Sequence, residues 1–248
     1  MTDPPLQWAG KKHTSRDIYR KINMDNIKQK HTELYQGIVF CDFDGTITEQ
    51  DTLERVFKKF APETWQPIRE DLSSGKITVR DAVTKTINSI NASYYDDILD
   101  YTLTFPIRPG FDAFLDFLEF QNVPMVVLSG GIRGIVETRL GNLIERMHAV
   151  FAADVDTGGQ FLRTNSGYEG KTELVDKVRV MNLFNAKKKI AIGDGITDFN
   201  MAREADLVFA RGQLAGFMNK NNLPCEPWSD FFDIRDHLQA HFSNSFEG

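Results

Sequence analysis

Hydrophobic and polar positions along this chain switch between two periods, and the switches mark its elements. Ile38-Val39-Phe40-Cys41 is an apolar run of strand length, and Val123-Pro124-Met125-Val126-Val127-Leu128 is a second. Lys189-Ile190-Ala191-Ile192, Val150 to Ala153 and Leu207 to Ala210 read the same way, and Gly158-Gly159 marks a hairpin turn before Phe161-Leu162. Between these runs the spacing becomes helical. Phe111, Phe114, Leu115 and Leu118 share one side of a predicted helix over 109–120, and further helical patterns cover 132–145, 172–181, 212–220 and 231–242. Strands and helices alternating in this order predict an α/β fold, a doubly wound parallel sheet of Rossmann-like form.

One stretch breaks the alternation. From about Asp51 to Leu103 the pattern is helical throughout, with Leu53, Val56, Phe57 and Phe60 on one face and further helices predicted over 65–72, 79–90 and 94–103. An insert this small sits near the lower limit for an independent core, so it is expected to lean on the main domain as a small helical cap and lid. Phe57, Phe60, Trp65, Tyr94, Tyr95 and Tyr101 are read as its core. The expected organisation is an N-terminal arm over 1–35, a core domain over 36–48 and 105–248, and the cap over 49–104. The arm is polar and lacks the apolar centre of a secretory signal, and Met24 is an alternative start.

The chemistry gathers at strand ends. Asp42-Phe43-Asp44-Gly45-Thr46 puts two carboxylates after the first strand, pointing the same way because side chains alternate, with Gly45 freeing the backbone to turn. Ser129-Gly130-Gly131 follows the second strand and precedes a helix, a geometry in which a hydroxyl and free N–H groups can donate to phosphate. Lys171 opens the predicted helix over 172–181 and offers one compact positive charge. Gly193-Asp194-Gly195-Ile196-Thr197-Asp198 adds two more carboxylates. In an open parallel sheet these loops share the carboxyl edge, where α/β proteins bind ligands. Asp42, Asp44, Asp194 and Asp198 would together make an oxygen-rich site for a hard divalent cation such as Mg2+. Any one of these turns alone is ordinary loop chemistry; their occurrence in one order on successive strand ends is what carries meaning.

Composition narrows the partners. With 41% hydrophobic and 26% charged residues the 248-residue chain has the make-up of a globular enzyme, and its net charge of -6 argues against nucleic acid or an anionic membrane as the main partner. No apolar run is long enough to cross a bilayer. The two cysteines, Cys41 in a predicted buried strand and Cys225 in a loop, read as free thiols of a reducing compartment, hence a cytoplasmic setting.

The Asp42-x-Asp44-Gly45-Thr46 run, with Ser129, Lys171 and the Gly193-Asp194-Gly195 segment in the expected order, resembles the haloacid dehalogenase superfamily from about Ile38 to Leu238. The resemblance implies a Mg2+-dependent phosphomonoesterase acting on a small phosphorylated metabolite. Asp42 would be the nucleophile that forms an aspartyl-phosphate, and Asp44 the general acid and then base. Ser129, Gly130 and Lys171 would hold the phosphoryl group, and Asp42, Asp44, Asp194 and Asp198 the metal, with no organic cofactor. The cap position and Ser129-Gly130-Gly131-Ile132-Arg133 are similar to phosphoserine phosphatases. However, Asp51 stands where those carry a glutamate, and their substrate-gripping cap arginine aligns with Thr86. Asp51, Phe60-Ala61-Pro62-Glu63-Thr64-Trp65, Phe209-Ala210-Arg211 and the closing Asp230-Phe231-Phe232-Asp233-Ile234-Arg235 are more similar to the 2-hydroxy-3-keto-5-methylthiopentenyl-1-phosphate phosphatases of methionine salvage. The cysteine-rich insert that some of that subgroup carry is replaced here by the short link 165–170. Asp51 is therefore the expected specificity residue. Alternatives are a phosphoserine- or phosphocholine-type phosphatase and, in another class, a phosphoacceptor signalling or inactive phosphate-binding module.

Overall fold

The computed structural model describes residues 33–245, with side chains described through residue 240. The predicted arm, apart from its last three residues, and the alternative start at Met24 lie outside the described residues. Among the described residues nine strands follow in chain order: β1 (Leu34–Tyr35), β2 (Ile38–Asp42), β3 (Met125–Ile132), β4 (Ala149–Asp156), β5 (Arg163–Asn165), β6 (Asn185–Ala186), β7 (Lys189–Gly193), β8 (Leu207–Ala210) and β9 (Glu226–Pro227). Seven form one sheet in the order β5-β4-β3-β2-β7-β8-β9, parallel except for the β4–β5 hairpin, while β1 and β6 pair separately.

β2 lies at the centre of that sheet and is buried at every position. The reason is visible in its sequence: Val39 and Cys41 enter one hydrophobic cluster, Ile38 and Phe40 the other, so both faces are covered by apolar neighbours. The first cluster takes Phe111, Phe114, Leu115 and Leu118 from α5 (Phe111–Phe120) and Phe231, Ile234 and Leu238 from the closing helix (Phe231–Ser245). Each such side chain, fully removed from water, contributes about 1.5–3 kcal/mol. The central strands are thus held in register by packing on both sides, and their ends cannot drift.

The insert folds as four helices, α1 (Thr52–Phe60), α2 (Pro62–Ser73), α3 (Val79–Ile87) and α4 (Tyr95–Thr102). Asp51 starts α1 by accepting from Glu54 N at 2.7 Å, and a reciprocal capping box between Thr78 and Asp81 starts α3. Leu53, Val56, Phe57, Trp65, Val83, Ile87 and Leu99 join the cluster on the first face of the sheet, so the helices share that core. Their two connections pair with each other: Thr48 bridges Ile107, and Arg108 N donates to Ile47 O at 2.8 Å. A second tie runs to the segment after β4, where Leu162 N donates to Ile90 O and Ala92 N to Gln160 O, both at 2.9 Å.

Several boundaries depart from the sequence expectation: β3 runs on through Ser129-Gly130-Gly131 to Ile132, and the helix expected over 79–90 ends at Ile87. The helix expected over 132–145 is α6 (Arg133–Leu140); the left-handed Gly141 ends it, and a 3-10 turn carries the chain to Arg146. The helix expected over 172–181 is the short α7 (Lys177–Met181), because Asp176 caps its first turn by accepting from Arg179 N at 2.9 Å. No helix among the described residues is long and apolar enough to cross a membrane. Cys41 is buried and Cys225 half-buried, and both are free thiols.

Candidate active site

The register of the central strands sets the geometry. Asp42 at the end of β2 lies beside Leu128 of β3, and its neighbour Cys41 beside Ile192 of β7, so Asp42, the Asp194 loop and Ser129, which lies within β3 where a loop was expected, come to one edge side by side. After Asp42 the chain curls through Phe43–Ile47 and closes with Thr48 N donating to Phe43 O at 3.1 Å. Gly45 has φ +84°, and a Cβ there would stand 2.6 Å from an Asp194 carboxylate oxygen, so this turn requires glycine twice over. Gly193 has a similar reason: a Cβ there would meet Asp198 Oδ2 at 2.5 Å.

Four carboxylates and one ammonium meet at this edge. Lys177, 1% exposed, donates from Nζ to Asp42 Oδ1 at 2.5 Å and to Asp198 Oδ1 at 2.7 Å. Asp198 Oδ2 accepts from the backbone N–H groups of Asp194 and Gly195, each at 3.0 Å, which folds the loop after β7 around its own carboxylate. Thr46 Oγ1 donates to Asp194 Oδ1 at 2.9 Å, joining the two loops. Asp44 accepts from Thr52 Oγ1 on one oxygen and from Ser129 Oγ at 3.0 Å on the other, while Ser129 Oγ accepts from Gly131 N at 3.0 Å.

So many like charges in a dry site cannot all be stable alone. Burial first, and Asp198 next, hold the Asp42 carboxyl well above the ordinary carboxylate range. Asp44 is raised by burial, against the hydrogen bonds from Thr52 and Ser129, and Asp194 is pushed up to about 6 by burial and by Asp198. Burial works to lower Lys177, but the Asp198 and Asp42 carboxylates outweigh it and keep the ammonium charged. The surplus of negative charge calls for a cation. Asp42, Asp194 and Asp198 each offer a carboxylate oxygen within 4.8 Å of the others, a hard-oxygen donor set that fits a divalent ion such as Mg2+.

Above this floor is a cavity of about 730 Å³ that reaches Asp42, Asp44, Gly130, Gly131 and Asp194 below. Its upper wall comes from the helical insert: Leu53, Phe57, Trp65, Leu72, Val79 and Val83 are apolar, and Asp51, Glu54 and Arg69 are the charged groups among them. Asp51 is open to the cavity, and its carboxyl is pushed up to about 7 by the surrounding protein and the nearby Asp44. Arg69 pairs with Glu54 at 3.2 Å.

Of the residues singled out in the sequence, Asp42, Asp44, Ser129, Gly130, Asp194 and Asp198 come together at one edge, and Asp51 overlooks them. Ser129 is fully buried and turned to Asp44 rather than open to the cavity. Lys171 is not brought to this edge. It is exposed, and the lysine that meets Asp42 is the buried Lys177. The helix starts at Lys177, so residue 171 lies in the loop before it; Asp176 followed by a helical run was the available sign of that start. Arg69 was also missed. Thr86, aligned with the cap arginine of phosphoserine phosphatases, is buried and donates to Ala82 O at 2.8 Å. Nothing in the amphipathic pattern separates an arginine beside the cavity from one in solvent.

Comparison with known proteins bears on the same residues. A family model described as haloacid dehalogenase-like hydrolase matches residues 39–203. A 2-hydroxy-3-keto-5-methylthiopentenyl-1-phosphate phosphatase of Microcystis aeruginosa is 42% identical over 203 residues, covering 81% of this chain and 97% of the relative. One of Geobacillus thermodenitrificans is 32% identical over 216 residues, covering 82% and 96%. Among solved structures, the phospho-aspartyl intermediate analogue of a phosphoserine phosphatase superposes with a TM-score of 0.60 at 16% identity over 83% of this chain and 99% of that one. A phosphoserine phosphohydrolase-like protein of Francisella tularensis gives 0.62 at 17% identity, over 82% and 99%. These two likenesses establish the fold.

Proposed function

Because the chain belongs to the haloacid dehalogenase-like hydrolase family, and is a phosphoric monoester hydrolase within it, we propose that it dephosphorylates 2-hydroxy-3-keto-5-methylthiopentenyl-1-phosphate through a phosphoaspartate at Asp42. The observation that carries the mechanism is the pairing of a buried Asp42 with Lys177 beside a second aspartate, Asp44, at the floor of the cavity.

In the first half-reaction a carboxylate oxygen of Asp42 attacks phosphorus, the ester P–O bond breaks, and Asp44 gives its proton to the leaving oxygen. The raised affinity of Asp44 for a proton suits it to that donation. In the second, Asp44 takes a proton from water, the water oxygen attacks phosphorus, and the bond to Asp42 breaks to release phosphate. Lys177, held against Asp42, and the Gly130 N–H would meet the phosphoryl oxygens, while Ser129 and Thr52 hold Asp44 in line. Phosphatases of this family generally use Mg2+; here Asp42, Asp194 and Asp198 would hold it, and it would supply charge neutralisation for the phosphoryl oxygens. The free thiols of Cys41 and Cys225 are in keeping with a reducing, cytoplasmic setting.

Two features support the substrate. The relatives named above carry that activity in their names at up to 42% identity. The cavity wall of Leu53, Phe57, Trp65, Leu72 and Val83 suits an uncharged, apolar tail such as a methylthio group. By contrast, the carboxylate and ammonium of phosphoserine call for charged partners, and the cavity's arginine, Arg69, is already engaged by Glu54. The test is a panel containing the methylthio enol-phosphate, phosphoserine, phosphocholine and p-nitrophenyl phosphate, assayed with Mg2+. The methylthio ester is expected to give the highest kcat/KM, and Asp51→Ala is expected to lower that value far more than the value for p-nitrophenyl phosphate. Preference for phosphoserine or phosphocholine would overturn the substrate, and equal losses in Asp51→Ala would remove Asp51 from specificity.

A further inference from the structure

Beneath the loop that carries Asp42 and Asp44, on the side away from the cavity, lies a buried arginine that no step of the chemistry uses. Arg108 is 6% exposed. Its Nε donates to Thr46 O at 2.8 Å, its Nη2 to Gly45 O at 2.6 Å and Thr48 O at 3.1 Å, and its Nη1 to Ser229 O at 3.4 Å. We propose that Arg108 is the positioning residue of the nucleophile loop, fixing Asp44 and Asp194 for catalysis without touching substrate.

The geometry gives it that leverage. Three of the four carbonyls it gathers belong to the turn between Asp44 and the first cap helix, and a planar guanidinium binds them in one fixed arrangement. Thr46, held through its carbonyl, donates its hydroxyl to Asp194. Arg108 therefore reaches two loops at once. Its own chain position adds a third link, because it ends the returning cap connection and donates its N–H to Ile47 O.

The other side of Arg108 is built by the two segments that the function left unused. The Trp228 ring meets the guanidinium groups of both Arg108, at 5.3 Å, and Arg211, at 5.2 Å. Arg211 also donates to Ser229 O, at 3.3 Å. Ser229 is held in turn by Asp233, whose carboxylate accepts from Ser229 N at 2.9 Å, while Asp230 caps the closing helix by accepting from Phe232 N at 2.9 Å. Phe209-Ala210-Arg211 and Asp230-Phe231-Phe232-Asp233 thus brace the arginine that braces the loop.

The inference rests on the reading of Asp42 and Asp44 given above, and the experiment separates the two. Arg108→Met and Arg108→Lys are assayed on p-nitrophenyl phosphate at saturating Mg2+, with circular dichroism and thermal melts confirming that each is folded at the assay temperature. Arg108→Met is expected to lose ~10–100-fold in kcat with KM within ~3-fold of wild type, and Arg108→Lys to fall between, as for groups that orient functional ligands from behind. The Mg2+ concentration for half-maximal activity is expected to rise in both. If Arg108→Met does not fold, Arg108→Lys and Trp228→Leu carry the test, both expected to lower kcat with KM unchanged. Lower melting temperature with wild-type kcat per folded molecule, or a loss confined to KM, would overturn the proposal. An inactive wild type, or an Asp42→Asn variant as active as wild type, would instead overturn the reading on which it rests.

Discussion

The floor of the cavity and its wall are built by different rules. On the floor every charged or polar group is held: Lys177 by two carboxylates, Asp198 by two backbone N–H groups, Asp44 by two hydroxyls, Asp194 by Thr46. The insert's share of the cavity is mostly apolar packing that continues into the core of the first sheet face, with Asp51, Glu54, Arg69 and Ser73 as its polar exceptions. A floor so constrained suits one reaction performed on many esters; a wall of exchangeable apolar side chains suits the choice among them. That division makes opposite variants informative.

The largest effect should come from removing the floor's cation. Lys177→Met leaves two buried carboxylates facing each other and strips a charge from the phosphoryl position, so kcat is expected to fall by ~10²–10³. Lys171→Met, exposed and outside the cavity, should stay within ~2-fold of wild type, since surface substitutions away from special features change little. Steady-state kinetics on p-nitrophenyl phosphate would decide this; the reverse pattern would return the role to Lys171.

That pair also shows where the sequence stopped being legible. Asp42, Asp44, Asp194 and Asp198 follow strands whose apolar runs are unmistakable, so their convergence could be read from order alone. Lys177 sits at the first position of a five-residue helix behind an irregular loop, and the amphipathic run over 172–181 hid that start. The helical character of the stretch from Asp51 to Leu103 was legible, yet which of its residues look into the cavity depends on how the helices cross, which periodicity does not specify. Arg69 and Arg108 were invisible for this reason: one faces a cavity and one lies beneath a loop, and both look like ordinary arginines in sequence. Ser129 reaches the same edge from within β3, where a turn was expected, and its direction toward Asp44 is a rotamer choice made by tertiary packing.

A smaller effect should appear at the wall. Trp65→Ala removes an apolar surface facing the tail of the substrate, and kcat/KM for the methylthio ester is expected to drop by ~10–100-fold, in the range that loss of apolar pocket contacts produces. Acetyl phosphate, which has almost no tail, should lose less than ~3-fold on the same reasoning. Equal losses on both would mean that the insert shapes the floor rather than selecting the ester.

The smallest effect concerns pH. Glu173, pushed up to about 7 chiefly by burial, and Asp194, up to about 6, bind protons in the folded protein that the unfolded chain has released. Their native affinities are raised, so without divalent cation stability should decline as pH rises from the ordinary carboxylate range near ~4 to about 7. Mg2+ should offset that decline, more at pH 8 than at pH 5, because it binds the ionised carboxylates. Thermal melts across pH 4–8 with and without Mg2+ would check the sign; a cation-free protein that gained stability over this range would contradict it.

The central claim is that Asp42 carries the phosphoryl group during turnover. Quenching the working enzyme and reducing it with borohydride converts a phosphoaspartate to homoserine, which peptide mass spectrometry locates. The expected result is homoserine at residue 42, present with substrate and Mg2+ and absent without substrate. Reduction at Asp44 instead, or none anywhere while phosphate is being released, would contradict the account.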